Sequence, residues 1–406
     1  MKKKKKKKKW LKFRHRVVRN IAFIILAPYC KLKYHFKVTR FKEQEKRPYL
    51  VLFNHQTAFD QFFVGMAFKG PVYYVASEDI FSKGFLSTLI RYLVAPIPIK
   101  KQTTDVRAVL DCIKVSREGG TIAMAPEGNR TFSGRTGHIN PAIAPLARKL
   151  GIPILLYRLE GGYGVQPRWA DTVRRGRMHG YVSKVLDPEE IAKITDEELC
   201  DIINKELYVD ECKSDALFYN KKNAEYLERV FYYCPYCGMT EFESHRDTLT
   251  CKKCKRQVRY LPNKEFFGVG FDFPYRYVSD WYDAQCDFMN SLNPDEYTEK
   301  PIREAVASFS EVVVYKKKEH ISDDAKISLY GDRITVKEED GKETVFRFNE
   351  ISAVTVLGRN KLNIYSDKRI FQLKSGKRFN ALLFVNTFYR YKNIMEENSD
   401  GKFLGL

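Results

Sequence analysis

Within YLVLFNHQTAFDQFF (Tyr49–Phe63), an Asn-His pair is followed five residues after the histidine by an aspartate, at Asn54, His55 and Asp60. Tyr49–Phe53 is an apolar run that predicts a buried strand, and a strand ending there delivers His55 to the carboxyl edge of a sheet. Open α/β folds gather their chemistry at that edge. A histidine with an unperturbed pKa of about 6.5 exchanges protons near neutrality. A carboxylate on its second ring nitrogen holds the tautomer and stabilises the imidazolium. The same residues also satisfy a structural reading, because Thr57-x-x-Asp60 has the form of a capping box at a helix start. Two further stretches add charge where strands are predicted to end. APEGNRTFSGRTG (Ala125–Gly137) puts Glu127, Gly128 and Arg130 on one tight loop, and VAPIPIKK closes on Lys100 and Lys101.

A second constellation lies further along. Cys234 and Cys237 are separated by thirteen residues from Cys251 and Cys254. Each Cys-x-x-Cys forms a knuckle with two thiolates, and two knuckles make a tetrahedral four-sulfur zinc site. Four protein ligands leave no open position, so this zinc is expected to be structural. His245 falls between the pairs and is not expected to ligate. The ribbon is basic at Lys252, Lys253, Lys255 and Arg256, which keeps a nucleic-acid or protein partner open for it. Cys30, Cys112, Cys200, Cys212 and Cys286 are scattered, and free thiols beside a metal-type cluster point to a reducing cytoplasm.

The elements that must position these residues can be read from pattern. With 44% hydrophobic and 14% aromatic residues among 406, the chain is globular and long enough for two or three domains. From Pro48 to Val185 short apolar runs alternate with helical stretches, which predicts an α/β domain with a mostly parallel sheet flanked by helices, over residues 41–228. A helical pattern follows Asp187-Pro188. Residues 229–262 hold the predicted zinc ribbon, and residues 263–320 carry no clear pattern. Over residues 321–400 period-two alternation with turn signals gives six or so short strands and then a helix, NALLFVNTFYRYKNIM, predicting a β-rich, barrel-like domain capped by that helix.

The formal charge is +21, and the octalysine Lys2–Lys9 accounts for eight of it. That excess calls for an anionic partner. After the lysines, Trp10, Leu11 and Phe13 interleave with Arg14, Arg16 and Arg19, and IAFIILAPY follows. Nine apolar residues are too few to span a bilayer, which takes about 20. The segment 1–40 is therefore expected to lie in the interface of an anionic membrane, peripheral and on the cytoplasmic side.

Taken together and in order, these blocks resemble the four motif blocks of the glycerolipid acyltransferases, in particular the 1-acylglycerol-3-phosphate (lysophosphatidate) acyltransferase branch. Asn54, His55 and Asp60 match the first block. Ala125 to Thr131 matches the third, with Asn129 where threonine is usual. Lys100-Lys101 stands where the second block ends in an acidic-Arg pair, and Ile152–Leu155 matches the fourth. The resemblance covers Arg14 to Leu227. It implies transfer of an acyl group from acyl-coenzyme A or acyl carrier protein to the hydroxyl of lysophosphatidate. His55 and Asp60 are then catalytic, and Lys101, Glu127, Gly128 and Arg130 bind the acceptor. By strand pattern the C-terminal domain resembles pleckstrin-homology-like and GRAM-type folds. The alternative is a non-catalytic scaffold that senses lipid or binds nucleic acid through the ribbon and the basic surface; nucleic acid is the less favoured partner, because the candidate catalytic residues are all present.

Overall fold

The structure, a computed structural model, describes residues 9–43, 47–99, 105–313 and 316–397. Most of the octalysine, Lys100 and Lys101 lie outside the described residues.

The first 208 residues supply seven strands: β1 (Phe36–Val38), β2 (Leu50–Phe53), β3 (Val72–Ser77), β4 (Ile97–Ile99), β5 (Thr121–Met124), β6 (Ile154–Glu160) and β7 (Met178–Leu186). Between and around them run α1 (Phe13–Tyr34), α2 (Asp60–Ala67), α3 (Phe85–Val94), α4 (Val106–Arg117), α5 (Ile143–Leu150), the single turns α6 (Gly162–Val165) and α7 (Pro188–Ile191), and α8 (Asp196–Leu207). The alternation that the apolar runs predict is present. β1 was not foreseen: three residues are too short for a period to register. The helical pattern after Asp187 is two helices, because Thr195 starts a second capping box with Glu198.

The sheet order is β1-β7-β6-β2-β5-β3-β4, and every neighbouring pair is parallel except β6 with β7. β2 is central, and all four of its residues are buried, as expected of a parallel strand covered on both faces. Leu50 and Leu52 point with Ile122, Ile154 and Leu156 into a core closed by Cys112, Val115, Ala147, Ile203 and Leu207 of the helices. Local signals end the helices. Gly151 closes α5 at φ 61°, and Gly119 follows α4 at φ 85°, a left-handed conformation that a side chain would strain.

The chain divides into two compact units. The first takes everything up to Gly128, with Ile139–Glu160 and Met178–Tyr208; the second takes Asn129–His138, Gly161–Arg177 and the chain from Val209 on. The sheet just described belongs to the first.

The second unit contains three β-sheets, one large apolar core and a small separate cluster of Val312, Ala353, Tyr365 and Ile370. A hairpin of β8 (Tyr233–Cys234) and β9 (Gly238–Met239) precedes a four-stranded sheet of β10 (Phe242–His245), β11 (Thr248–Cys251), β12 (Gln257–Tyr260) and β13 (Phe266–Gly268). Helix α9 (Val278–Ser291) follows, and its Trp281 stacks on Phe231 at 3.9 Å between ring centroids. Then β14 (Arg303–Glu311), β15 (Glu319–Leu329), β16 (Arg333–Lys337), β17 (Glu343–Arg347), β18 (Ala353–Leu357), β19 (Lys361–Ser366) and β20 (Arg369–Ser375) form an antiparallel sheet ordered β17-β16-β15-β14-β20-β19-β18. It curls into a half-barrel capped by α10 (Ala381–Met395), whose Leu382, Phe384, Val385 and Phe388 are buried. β14 comes from the stretch without a clear pattern, yet it joins the two meanders by pairing with both β15 and β20. Its alternation is blurred because register shifts interrupt its pairing near Phe309. Two arginines tie the ribbon to the half-barrel. Arg229, 2% exposed, donates to the carbonyls of Lys377 and Trp169, each at 2.6 Å. Arg303 donates to the Thr240 carbonyl at 3.1 Å and pairs with Glu241.

Candidate active site

Because β2 and β5 are parallel neighbours with Leu52 opposite Met124, the loops at their carboxyl ends emerge side by side. The first carries Asn54 and His55, and the second carries Ala125 to Gly128. The side chain of Asn54 is wholly buried and clamps the first loop to β6. Its Nδ2 donates to the Leu159 carbonyl at 2.8 Å, and its Oδ1 accepts from the Leu159 N–H at 2.7 Å. The next residue is thereby turned outward at the sheet edge.

His55 Nδ1 lies 2.7 Å from Asp60 Oδ2, with the imidazole 27% exposed and the carboxylate fully buried. An ionised carboxylate only accepts hydrogen bonds, so Nδ1 carries the proton and Nε2 is the basic nitrogen. Asp60 is the first residue of α2, and its carboxylate also accepts from the Gln56 N–H at 2.7 Å, the Thr57 N–H at 2.9 Å and the Thr57 hydroxyl at 2.7 Å. Asp60 therefore makes both the hydrogen bonds of a helix start and the contact with His55. The capping differs from the expected pattern, since Thr57 sits before the helix and Phe59 occupies the N-cap position. The Thr57 hydroxyl accepts from the Phe59 N–H at 3.0 Å. Glu127, 7% exposed, accepts from the His55 N–H at 2.7 Å through Oε1. The carboxylate of one motif thus holds the backbone that carries the imidazole of the other. Gly128 follows at φ 70°, in a turn closed by its N–H on the Ala125 carbonyl at 3.0 Å. An added Cβ there would meet nothing within 4 Å, so the glycine is required by conformation alone.

Four of the predicted site residues, His55, Asp60, Glu127 and Gly128, thus belong to the first unit. Lys101 lies outside the described residues. Arg130 begins two residues after Gly128, in the segment Asn129–His138 of the second unit. That segment is held by residues from the C-terminal half. The Thr136 N–H donates to the Val209 carbonyl at 3.1 Å, Arg135 pairs with Asp283 of α9, and the Cys212 thiol donates to the Ser133 carbonyl at 3.0 Å.

Arg168 is the residue that sequence reasoning missed. It is 2% exposed, and its guanidinium donates to three carbonyls: Arg130 at 2.7 Å, Val356 at 2.6 Å and Gly358 at 3.2 Å. It also lies 4.2 Å from the Phe132 ring centroid. Burial, and then the neighbouring Arg130 charge, push its pKa down to about 9. Nothing in its local sequence, VQPRWAD, distinguishes it from a surface arginine. Arg168→Met should lower the unfolding free energy by about 2–5 kcal/mol, because one buried and two part-buried carbonyls lose a charged donor. Urea denaturation reads this directly, and an unchanged midpoint would mean those carbonyls are solvated without it.

The four cysteines come together as the spacing predicts. The Sγ atoms of Cys234, Cys237, Cys251 and Cys254 all lie within 4.8 Å of one another, with Cys234 to Cys254 at 3.8 Å and Cys237 to Cys251 at 3.5 Å. A tetrahedron with Zn–S bonds of about 2.3 Å needs sulfurs about 3.8 Å apart, so the donor set fits zinc. The turns have the backbone this requires: Gly238 at φ 71° ends the first knuckle and Lys255 at φ 61° the second. His245 is not in the group.

Residues 35–156 match the protein-family model described as Acyltransferase. The chain is similar to the chloroplastic 1-acyl-sn-glycerol-3-phosphate acyltransferase LPAT1 of Arabidopsis thaliana, 22% identical over 182 residues, covering 43% of this chain and 48% of that protein. It is likewise similar to the chloroplastic 1-acyl-sn-glycerol-3-phosphate acyltransferase BAT2 of Brassica napus, at 23% identity, 43% of this chain and 49% of that protein. The chain thus spans about half the length of these curated relatives. Among solved structures, the 1-acyl-sn-glycerophosphate (LPA) acyltransferase PlsC of Thermotoga maritima is 21% identical with a TM-score of 0.39, over 47% of this chain and 75% of that one.

Proposed function

We propose that this chain, whose residues 35–156 match the acyltransferase family, is an O-acyltransferase of phospholipid synthesis working at a membrane surface. It moves a fatty acyl group from acyl-coenzyme A or acyl carrier protein to the hydroxyl of lysophosphatidate, giving phosphatidate. The observation that carries this reading is the 2.7 Å contact between His55 Nδ1 and Asp60 Oδ2.

The chemistry follows from that contact. With Nδ1–H donating to Asp60, Nε2 accepts the proton of the acceptor hydroxyl as its oxygen attacks the thioester carbonyl. Asp60 stabilises the imidazolium so formed. The tetrahedral intermediate collapses by breaking the C–S bond, and the departing thiolate takes the proton back from Nε2. No covalent acyl-enzyme is required. Backbone N–H groups of the Glu127–Gly128 turn are suited to the oxyanion. Glu127 and Gly128 shape the acceptor pocket, Glu127 through its hold on the His55 backbone. Arg130 meets the acceptor phosphate, because a guanidinium pairs with phosphate oxygens two at a time, and Lys101 assists. Cys234, Cys237, Cys251 and Cys254 hold a structural zinc.

The protein is peripheral, on the cytoplasmic face of the membrane; no helix among the described residues is long and apolar enough to cross one. Nucleic-acid binding by the ribbon is the weaker reading, since part of its charge is neutralised internally: Lys252 pairs with Glu241 at 2.8 Å and Arg259 with Asp247 at 2.7 Å.

The deciding assay offers labelled acyl-coenzyme A and acyl carrier protein in parallel. The acceptors are lysophosphatidate, lysophosphatidylcholine and glycerol 3-phosphate. Product with lysophosphatidate is expected. Product with another acceptor alone would refute the substrate assignment, and no product with any would favour a lipid-sensing role.

A further inference from the structure

Helix α3 is the least buried apolar element of the first unit. Its sequence is FLSTLIRYLV, yet Ser87 is its one buried residue. Phe85 is 82% exposed, and Leu86, Leu89 and Tyr92 are exposed beside it. At 100° per residue these four side chains fall on one stripe of the helix. A helix that is apolar on its outward face is stable only where something other than water covers that face.

The covering surface extends beyond α3. On α1, Phe13, Ile24 and Leu32 recur at helical spacing on a single stripe and are 80%, 71% and 77% exposed, whereas Ala27, Cys30 and Tyr34 on the other side are buried. The two helices touch. Arg14 Nε donates to the Tyr92 carbonyl at 2.8 Å, and its guanidinium lies 4.0 Å from the centroid of that tyrosine's ring. Trp10 Nε1 donates to the Ala95 carbonyl, just past the end of α3, at 3.0 Å. The charge around this apolar surface is mainly positive: Glu118 accepts from the Trp10 and Leu11 N–H groups at 2.7 and 3.0 Å and Asp79 pairs with Lys83 at 3.7 Å, but cations outnumber these two carboxylates. None of the first 42 residues is acidic, and the stretch from Ile80 to Ile99, which contains α3, carries Lys83 and Arg91 and no carboxylate.

We infer that α3 is a second membrane-docking element, which with α1 forms a two-helix platform seated in the interface of an anionic phospholipid bilayer. An apolar face with an excess of cations at its rim, and with Trp10 and Tyr92 along the seam, has the chemistry of an interfacial surface. A bare protein partner would have to supply a large acidic and apolar surface at once; an anionic leaflet supplies both everywhere. The inference extends the membrane reading of the N-terminal segment to a helix that lies between β3 and β4, inside the acyltransferase-matching stretch. Docking through α3 therefore engages the fold that carries His55 as well as its tail.

Flotation of the full chain with phosphatidylcholine vesicles, with and without phosphatidylglycerol, tests this. Wild type should float with the anionic vesicles. Phe85→Ser with Leu89→Ser should lower the bound-to-free ratio about tenfold or more, given the apolar area withdrawn from lipid. The melting temperature in vesicle-free buffer should not fall, because both residues face outward there. Tyr92→Trp adds a reporter at the seam whose fluorescence should be quenched by brominated acyl chains. The proposal falls if the double variant floats as wild type does, or if brominated lipid leaves the Tyr92→Trp reporter unquenched. It also falls if light scattering without vesicles finds a dimer that the double variant dissociates, since a second copy then covers the face. His55→Ala should float like wild type, so loss of acyl transfer and loss of docking are separable results.

Discussion

His55→Ala is expected to reduce acyl transfer by about 10²–10⁴-fold, the contribution of a positioned general base, while leaving the protein folded. The second half of that expectation follows from where the hydrogen bonds lie. The imidazole is partly exposed, and removing it leaves the buried Asp60 carboxylate still accepting from the Gln56 and Thr57 N–H groups and the Thr57 hydroxyl. Asp60→Ala is the less informative substitution. It removes the imidazole's partner and strands three buried donors at once, each worth about 1–3 kcal/mol, so lost activity would be mixed with lost structure. Steady-state rates on His55→Ala, with the circular dichroism spectrum as the folding control, give the clean answer. Activity within threefold of wild type would remove His55 from the mechanism.

Cys251→Ser is expected to have the largest effect on stability. Cys234 and Cys251 are 3% and 2% exposed, and they sit in the same apolar core as Trp281, Phe242, Val258 and the inner faces of the half-barrel. Structural zinc contributes about 10–16 kcal/mol of apparent folding free energy in isolated finger peptides. In this unit the ribbon is also held by Arg229 and Arg303, so a loss on the order of 5–10 kcal/mol is expected. The protein should release about one equivalent of zinc, read by mass spectrometry, and the second unit should melt well below wild type. The loosening should extend to the segment that carries Arg130. Residues Asn129–His138 belong to that unit and are held there by Arg168, Val209, Cys212 and Asp283. If the metal-free variant melts as wild type does, the four sulfurs are not a structural centre.

Several features were legible because they are local. The apolar run Tyr49–Phe53 supplies a strand, Leu50–Phe53, and a buried one, because a parallel strand covered on both faces needs apolar side chains at every position. The two Cys-x-x-Cys knuckles meet as spaced, since each is a short turn whose geometry its own residues set. The His55–Asp60 pair is of the same kind: five residues apart, across a turn into a helix, the partners have little freedom to miss each other. Weaker patterns were lost. β1 is too short to show a period, and the irregular pairing of β14 breaks its alternation.

What lies far apart in the chain was decided by the tertiary structure. That Glu127 grips the His55 backbone follows from β2 and β5 being parallel neighbours, 72 residues apart at the contact. Strand order is a property of the whole sheet, and neither strand states it alone. That Arg168 holds the carbonyl of Arg130 and the end of β18 together could not be read from its neighbours, because a buried arginine is identified by the carbonyls around it. The exposure of α3 is likewise a tertiary fact. Its sequence looks like any core helix, and only the placement of the sheet's other helices shows that its apolar face was left outside. Periodicity and spacing report what a segment can form; which segments meet depends on how their apolar faces are shared out when the chain closes on itself.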